Sequence, residues 1–305
     1  MAFKKASAAV AAFFMGVFAW GEAMAAKGLP EAGKYGLQDG VTETWERINS
    51  FHDMLLVIIF AITIFVFALL AYAMVRFRKS ANPTPATFSH NTPIEILWTV
   101  LPIIILAVIA LPSLRLLYFQ DVVPKADMVI KATGYQWYWN YEYPEHDQLS
   151  FDSVMLPNAY FDPNASEEVK AERAAAAADI QRMLGRDEAP KLHRLLDTDT
   201  RIVVPVNTTV KVIVTAADVI HAWTVPSFGV KIDAIPGRLN ETWFNAKETG
   251  TFYGQCSELC GIKHAFMPIV VDVVTQDEFD AWLARAKTAY ATNGLNQPAV
   301  LASAE

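Results

Sequence analysis

Charge and cysteine are both scarce in this 305-residue sequence: 19% of its positions are Asp, Glu, Lys or Arg, and two are Cys. Two cysteines exclude a disulfide framework and leave room for one bridge or one metal site. Basic residues are outnumbered, 25 Lys and Arg against 32 Asp and Glu for a net charge of −7. That balance excludes a nucleic-acid binder, since phosphate contacts need clustered cations. No C-x-x-C-H occurs, so the chain carries no covalent haem of its own. A hydrophobic share of 53% in turn excludes a disordered chain.

The apolar excess is concentrated. Lys4 and Lys5 precede the apolar run Ala6 to Trp20, and Ala23 and Ala25 frame an A-x-A pattern. Residues 1–25 therefore read as a signal peptide cleaved after Ala25, with an uncleaved anchor as the alternative. Two longer runs follow. Met54 to Val75 spans about 33 Å as a helix and Ile96 to Leu114 about 29 Å, against a hydrocarbon core of about 30 Å. We expect membrane helices over about 54–75 and 96–117, within a segment 26–118. Pro102 and Pro112 are tolerable there. Arg76, Arg78 and Lys79 place the connecting loop in the cytoplasm and both flanks outside, as the signal peptide also requires.

Residues 119–294 form the expected exported domain, with a tail over 295–305. From residue 119 onward, 16 Lys and Arg face 25 Asp and Glu, a balance of −9. Short β-branched runs at Asp127–Thr133, Arg201–Val206, Thr208–Thr215 and Phe266–Val274 predict an all-β sandwich or small barrel. Thr275 and Glu278 form a capping box that opens a short C-terminal helix burying Phe279, Trp282, Leu283 and Ala286 and ending near Asn293 and Gly294. The stretch 164–190, with helical Ser166–Gly185 at its centre, reads as a surface insertion without chemistry of its own.

The most specific signal lies between Gly254 and Pro268, where Cys256, Cys260, His264 and Met267 recur at spacings of 4, 4 and 3. His221, upstream in Asp218-Val219-Ile220-His221-Ala222-Trp223, is a fifth donor. Thiolate, imidazole and thioether together are the set copper prefers. A Cys256–Cys260 disulfide and a Cys2His2 zinc site are the alternatives, and the second leaves Met267 only a packing role. A one-copper site uses a single Cys, two His and a Met. With a second Cys, two thiolates are able to bridge two coppers, with one imidazole for each.

This motif, Cys256-Ser257-Glu258-Leu259-Cys260-Gly261-x-x-His264-x-x-Met267, resembles the dinuclear copper (CuA) site of subunit II of haem–copper cytochrome c oxidases. Trp223-Thr224-Val225-Pro226-Ser227 and Asp233-Ala234-Ile235-Pro236-Gly237-Arg238 extend the likeness. The resemblance implies an N-terminal transmembrane α-helical hairpin plus an all-β cupredoxin-like Greek-key sandwich, with Cys256 and Cys260 bridging two copper ions and His221 and His264 terminal. It further implies weak ligation by Met267 and the Glu258 backbone carbonyl, and a magnesium ion at the Glu258 side chain, shared with subunit I. Haems would belong to subunit I only. Subunits I and III, membrane lipid and cytochrome c are the implied partners, at the periplasmic face of a bacterial inner membrane.

Tyr135, Trp137, Trp139, Tyr141 and Tyr143 alternate with Gln136, Tyr138, Asn140 and Glu142, which reads as one strand with an aromatic face belonging to the core or to a membrane-interface belt. The resemblance singles out Trp137 as the point where electrons enter from cytochrome c. Tyr135 departs from it, since the family commonly shows His there. Glu142, Glu145, Asp147, Asp152 and Asp218 are ordinary surface acids by composition, and in the resemblance several such positions dock a lysine-rich cytochrome c. Gln148 stands where relatives often carry an acid, which shifts or weakens that patch. Thr92-Pro93-Ile94-Glu95 is a capping box with Pro first in the helix, and the resemblance adds that Glu95 marks the cytoplasmic mouth of a proton path. His52, His90, His146 and His193 have no ligand-like neighbours.

Three other classes remain distinguishable. A quinol oxidase subunit II lacks the copper ligands that run here from His221 to Met267. Nitrous oxide reductase needs a His-rich second site that six His cannot supply. A non-catalytic exported sandwich would hold Cys256 and Cys260 as a disulfide.

Overall fold

The structure, a computed structural model, describes residues 28–291. The expected signal peptide, the tail and the end of the last helix near Asn293 lie outside these residues.

Two long helices come first, α1 (Glu43–Arg76) and α2 (Thr92–Asp121). The Thr42 side chain caps α1 by accepting the Trp45 amide, and Glu43 and Glu46 sit in the first turn where the helix dipole favours acids. At ~1.5 Å per residue the helices run about 51 and 45 Å, well past the hydrocarbon thickness. The expected limits of 54–75 and 96–117 therefore mark the apolar spans and not the helices, because the caps lie further out. For α2 the cap is Asn91, which accepts the Ile94 amide while Glu95 Oε1 accepts the Asn91 amide at 3.1 Å. The box expected on Thr92 is thus shifted by one residue. Asn caps at least as well as Thr, and Pro93 still falls where a helix has no N–H to satisfy. Phe60, Phe65, Leu101 and Ile103 are exposed on these helices, as a two-span membrane hairpin requires.

The remainder is a β-sandwich. A five-stranded sheet has the order β3-β2-β1-β5-β8, with β1 Met128–Tyr135, β2 Tyr138–Tyr143, β3 Leu149–Ser153, β5 Val210–Ala216 and β8 Asn240–Phe244. A second sheet orders β4 (Ile202–Pro205), β10 (Pro268–Val274) and β9 (Gly250–Gln255). The hairpin β6 (His221–Val225) with β7 (Val230–Ala234) completes it. Trp139, Tyr141, Trp223, Phe228, Phe244 and Phe252 fill the core. Tyr143 bridges the sheets, its hydroxyl donating to the Val203 carbonyl and accepting the Val203 amide.

The aromatic run is not one strand. β1 ends at Tyr135 and β2 begins at Tyr138, antiparallel to it, so Gln136 and Trp137 form the hairpin turn. The alternation survives only in β2, where Trp139, Tyr141 and Tyr143 are buried. Trp137 is only half-buried.

The stretch 164–190 holds α3 (Glu167–Leu184), capped by Ser166 and closed by Gly185 in the left-handed region. It is more than a surface addition. Ile180 and Leu184 are buried, and Arg285 of α4 (Gln276–Ala291) donates to the Met183 carbonyl. Just after α3, Arg186 pairs with buried Asp272 at 2.6 Å, and Arg201 ties Asp272 to Asp197. The box on α4 forms as expected, Glu278 Oε2 accepting the Thr275 amide at 2.8 Å. Phe279, Trp282 and Ala286 are buried, and Leu283 is partly so.

The segment 28–42 carries no pattern signal, yet it straps the sandwich to the hairpin. The Tyr253 amide donates to the Gly28 carbonyl, Val41 exchanges backbone bonds with Ser227 and Lys247, and the Thr42 hydroxyl donates to the Phe228 carbonyl at 2.8 Å. On the other helix, Phe119 packs edge-on against Trp243 at 5.3 Å and carries the Arg47 guanidinium over its ring at 3.9 Å.

Candidate metal centre

Adjacent strands bring the five sequence-predicted donors together. His221 opens β6, Cys256 and Cys260 lie in the loop that leaves β9, His264 stands in a 3-10 turn, and Met267 directly precedes β10. The Ser257 amide donates to the Ala222 carbonyl at 3.1 Å, pinning the cysteine loop to β6. At the other end the Trp139 indole N–H donates to the Met267 carbonyl at 3.3 Å.

The two sulfurs are 3.9 Å apart, far beyond the ~2.05 Å of a disulfide. Each faces one imidazole and one weaker donor. Cys256 Sγ lies 4.0 Å from His221 Nδ1 and 3.3 Å from the Glu258 carbonyl. Cys260 Sγ lies 3.6 Å from His264 Nδ1 and 3.5 Å from Met267 Sδ. Cys256, Cys260, His221 and Met267 are buried, while His264 is half-buried and Glu258 exposed.

Electrostatics separates the two thiols. Burial opposes thiolate formation at Cys256, but bonds from His221 and the backbone overcome it and hold that thiol at about 7. Burial, reinforced by the neighbouring Cys256 sulfur, pushes Cys260 up to about 12. Burial likewise acts to raise Asp218, and hydrogen bonds from His221, Val219 and Gln136 outweigh it, keeping the carboxyl below its usual range. The donor set fits a soft metal: a clustered His221, Cys256 and Cys260, one thiol ready to lose its proton near neutrality, and a thioether within reach.

Trp137 touches this centre, its indole N–H donating to the Cys260 carbonyl at 3.1 Å. Among the expected docking acids only Asp218 does so. Glu142 is paired with Lys131, Glu145 accepts the Val129 amide, Asp147 is paired with Lys287, and Asp152 accepts from Asn140. Glu145 and Asp147 lie in the β2–β3 turn, at the end of β2 away from Trp137, roughly 17 Å along the strand. Glu95 stands apart at the start of α2. Gln136, which donates from its side chain to the same Cys260 carbonyl at 3.1 Å, carries no chemical signal in the sequence.

A two-span membrane hairpin bearing a β-sandwich, with thiol, imidazole and thioether donors gathered at one end, defines a membrane-anchored metal-binding electron carrier. The family of the cytochrome C oxidase subunit II periplasmic domain matches residues 128–176 and 181–274, and that of its transmembrane domain matches residues 30–116. The periplasmic match breaks only at 177–180, so most of 164–190 lies within it. A probable cytochrome c oxidase subunit 2 of Rickettsia bellii is 48% identical over 86% of this chain and 87% of its own length. The cytochrome c oxidase subunit 2 of Cereibacter sphaeroides is 49% identical over 85% and 82%. The crystal structure of the periplasmic domain of subunit II of cytochrome oxidase (CoxB) of Bradyrhizobium japonicum is 50% identical, covers 55% of this chain and 99% of its own, and aligns with a TM-score of 0.44. The chain belongs to the cytochrome c oxidase subunit II family. It is the electron-transfer component of an oxidoreductase complex, and the family implies copper of the CuA type.

Proposed function

We propose that the chain accepts single electrons from reduced cytochrome c at a dinuclear copper centre on the periplasmic face of a bacterial inner membrane. The electrons pass to haems of subunit I, where oxygen is reduced to water with proton pumping. The pairing of donors about the two sulfurs carries this reading. A single-copper site needs one Cys and a structural zinc site leaves the thioether idle, whereas two thiols flanked alike suit a metal pair. Cys256 and Cys260 would bridge, His221 and His264 would each complete one metal, and Met267 and the Glu258 carbonyl would be weak ligands. When bound, the copper pair supplies a one-electron carrier whose unpaired electron is shared by both metals.

The protein's own residues orient and connect this centre. β6, β9 and β10 hold the donors from three sides, and burial of both sulfurs keeps water away. Trp137 receives the electron, one hydrogen bond from the Cys260 carbonyl. The acidic exported domain, with Glu142 on β2, Asp152 on β3 and Glu145 and Asp147 in the turn between them, steers a lysine-rich donor. The Glu258 side chain faces magnesium at the border with subunit I. Glu95, beyond its capping bond, sits at the cytoplasmic mouth of a proton path, on the side marked by Arg76, Arg78 and Lys79. Subunit III and lipid complete the surroundings of the hairpin.

Trp137→Gln in the purified oxidase tests the electron-receiving role. Reduction by cytochrome c should slow by about tenfold or more, ~1.4 kcal/mol on the barrier, with copper content unchanged. An unaltered rate would contradict it.

A further inference from the structure

Asp218 occupies a position that a docking acid does not need. Its Oδ1 accepts from His221 Nε2 at 2.9 Å and from the Val219 amide at 2.6 Å, and its Oδ2 accepts the Gln136 amide at 2.7 Å. All its side-chain bonding is thus directed inward, although about a third of the side chain, 32%, is exposed. Binding Nε2 fixes the imidazole as the Nε2–H form and leaves Nδ1, the nitrogen facing Cys256, free to donate to a metal. The ring packs closely on the Gly134 backbone, where a Cβ would stand 2.8 Å from His221 Cδ2, and Trp139 lies edge-on to it at 5.9 Å.

The second carboxylate oxygen reaches the turn that carries Trp137. Gln136 and Trp137 have none of the Gly, Asn or Asp residues that make a two-residue hairpin turn on their own. Tertiary bonds hold it instead: the Gln136 amide on Asp218, and the Gln136 side chain and Trp137 indole both on the Cys260 carbonyl. Opposite the ring, Gly261 at φ +120° leaves space that a Cβ would fill, 2.9 Å from Trp137 Cζ2.

We infer that Asp218 is a positioning residue that orients His221 toward the metal and, through Gln136, latches the Trp137 turn onto the Cys260 carbonyl. The inference rests on the copper reading above and assigns Asp218 a role other than docking. An anionic acceptor on Nε2–H makes the imidazole a stronger donor and favours the oxidised metal. Removing the acceptor should raise the reduction potential.

The test is a redox titration of the copper absorbance in the purified oxidase without cytochrome c, for the wild type, Asp218→Ala, Asp218→Asn and Asp147→Asn. The potential should move upward and the spectrum change in Asp218→Ala. The shift should be smaller in Asp218→Asn, whose amide oxygen still accepts from His221, and absent in Asp147→Asn, an acid remote from the centre. In the metal-free full chain, the Gln136 amide should exchange with solvent faster in both Asp218 variants than in the wild type. An unchanged potential, spectrum and exchange rate, with only cytochrome c binding weakened, would overturn the inference and leave the copper reading intact. A wild-type chain that takes up no copper would overturn the copper reading instead, and with unchanged amide exchange it would remove the latch as well.

Discussion

At the residue scale the five candidate donors share one trait, residue types that are rare elsewhere and that ligation demands. Cys256, Cys260, His264 and Met267 announce themselves by spacing, and His221 by being a histidine in a β run beside Trp223. What could not be read was which ordinary polar residues support them. Asp218 looks like any surface acid, and Gln136 like the polar side of a strand. Their roles depend on contacts with residues far along the chain, His221 excepted. Asp199 is a similar case, a carboxylate lodged beneath α3 and α4 near Arg201 and Tyr290. Burial raises it to about 6, against lowering bonds from the Val154 and Thr200 amides. A raised carboxyl stabilises the fold below the unfolded value near 4, and that contribution is lost as pH climbs through 6. The sandwich should therefore lose up to roughly 3 kcal/mol between pH 4 and 7 at this one site. Asp199→Asn should remove that part of the slope. Denaturant titrations of the full chain in detergent at several pH values would show it, and an identical slope in the variant would contradict the assignment.

At the scale of elements, apolar length foretold both membrane helices, and the Thr275–Glu278 box foretold α4. Two elements were misread for physical reasons. The period-two aromatic run continues through a turn that lacks turn residues, so nothing local marks the reversal at Gln136 and Trp137. The alanine-rich α3 packs the stripe Val169, Ala176, Ala177, Ile180, Met183 and Leu184 against the core, and its small alanines give that stripe little contrast in the sequence. Arg186 and Arg285 add to its attachment, through the partners Asp272 and Met183 that are distant from them in sequence. Ile180→Ala should cost about 2–4 kcal/mol as a large-to-small change in packed surroundings, while copper content and spectrum stay unchanged. Thermal unfolding together with metal analysis checks this, and loss of copper in a folded variant would tie α3 to the centre.

At the scale of the whole molecule, charge and hydropathy divide between two bodies. The scarcity of charge belongs to the hairpin, whose exposed Phe, Leu and Ile side chains meet lipid or neighbouring subunits. The acidity belongs to the sandwich. The strap 28–42 and the Phe119–Trp243 contact join them, and no hydrophobic pattern announces either, since each works through single bonds and one ring pair. The proposed docking of a basic cytochrome c on this acidic sandwich predicts that its reduction of the centre slows as salt rises, most steeply near the ~8–10 Å screening lengths of 0.1–0.15 M. Stopped-flow rates across ionic strength measure this, and a flat profile would contradict electrostatic steering.

The central claim is that Cys256 and Cys260 hold a pair of coppers between His221 and His264. The full chain, purified in detergent with its thiols reduced and then loaded with copper, is assayed for metal per chain and for its paramagnetic spectrum. The account predicts about two coppers per chain and the hyperfine pattern of one electron shared equally by two copper nuclei. One copper per chain, zinc in its place, or thiols that close to a Cys256–Cys260 disulfide and take up no metal would contradict it.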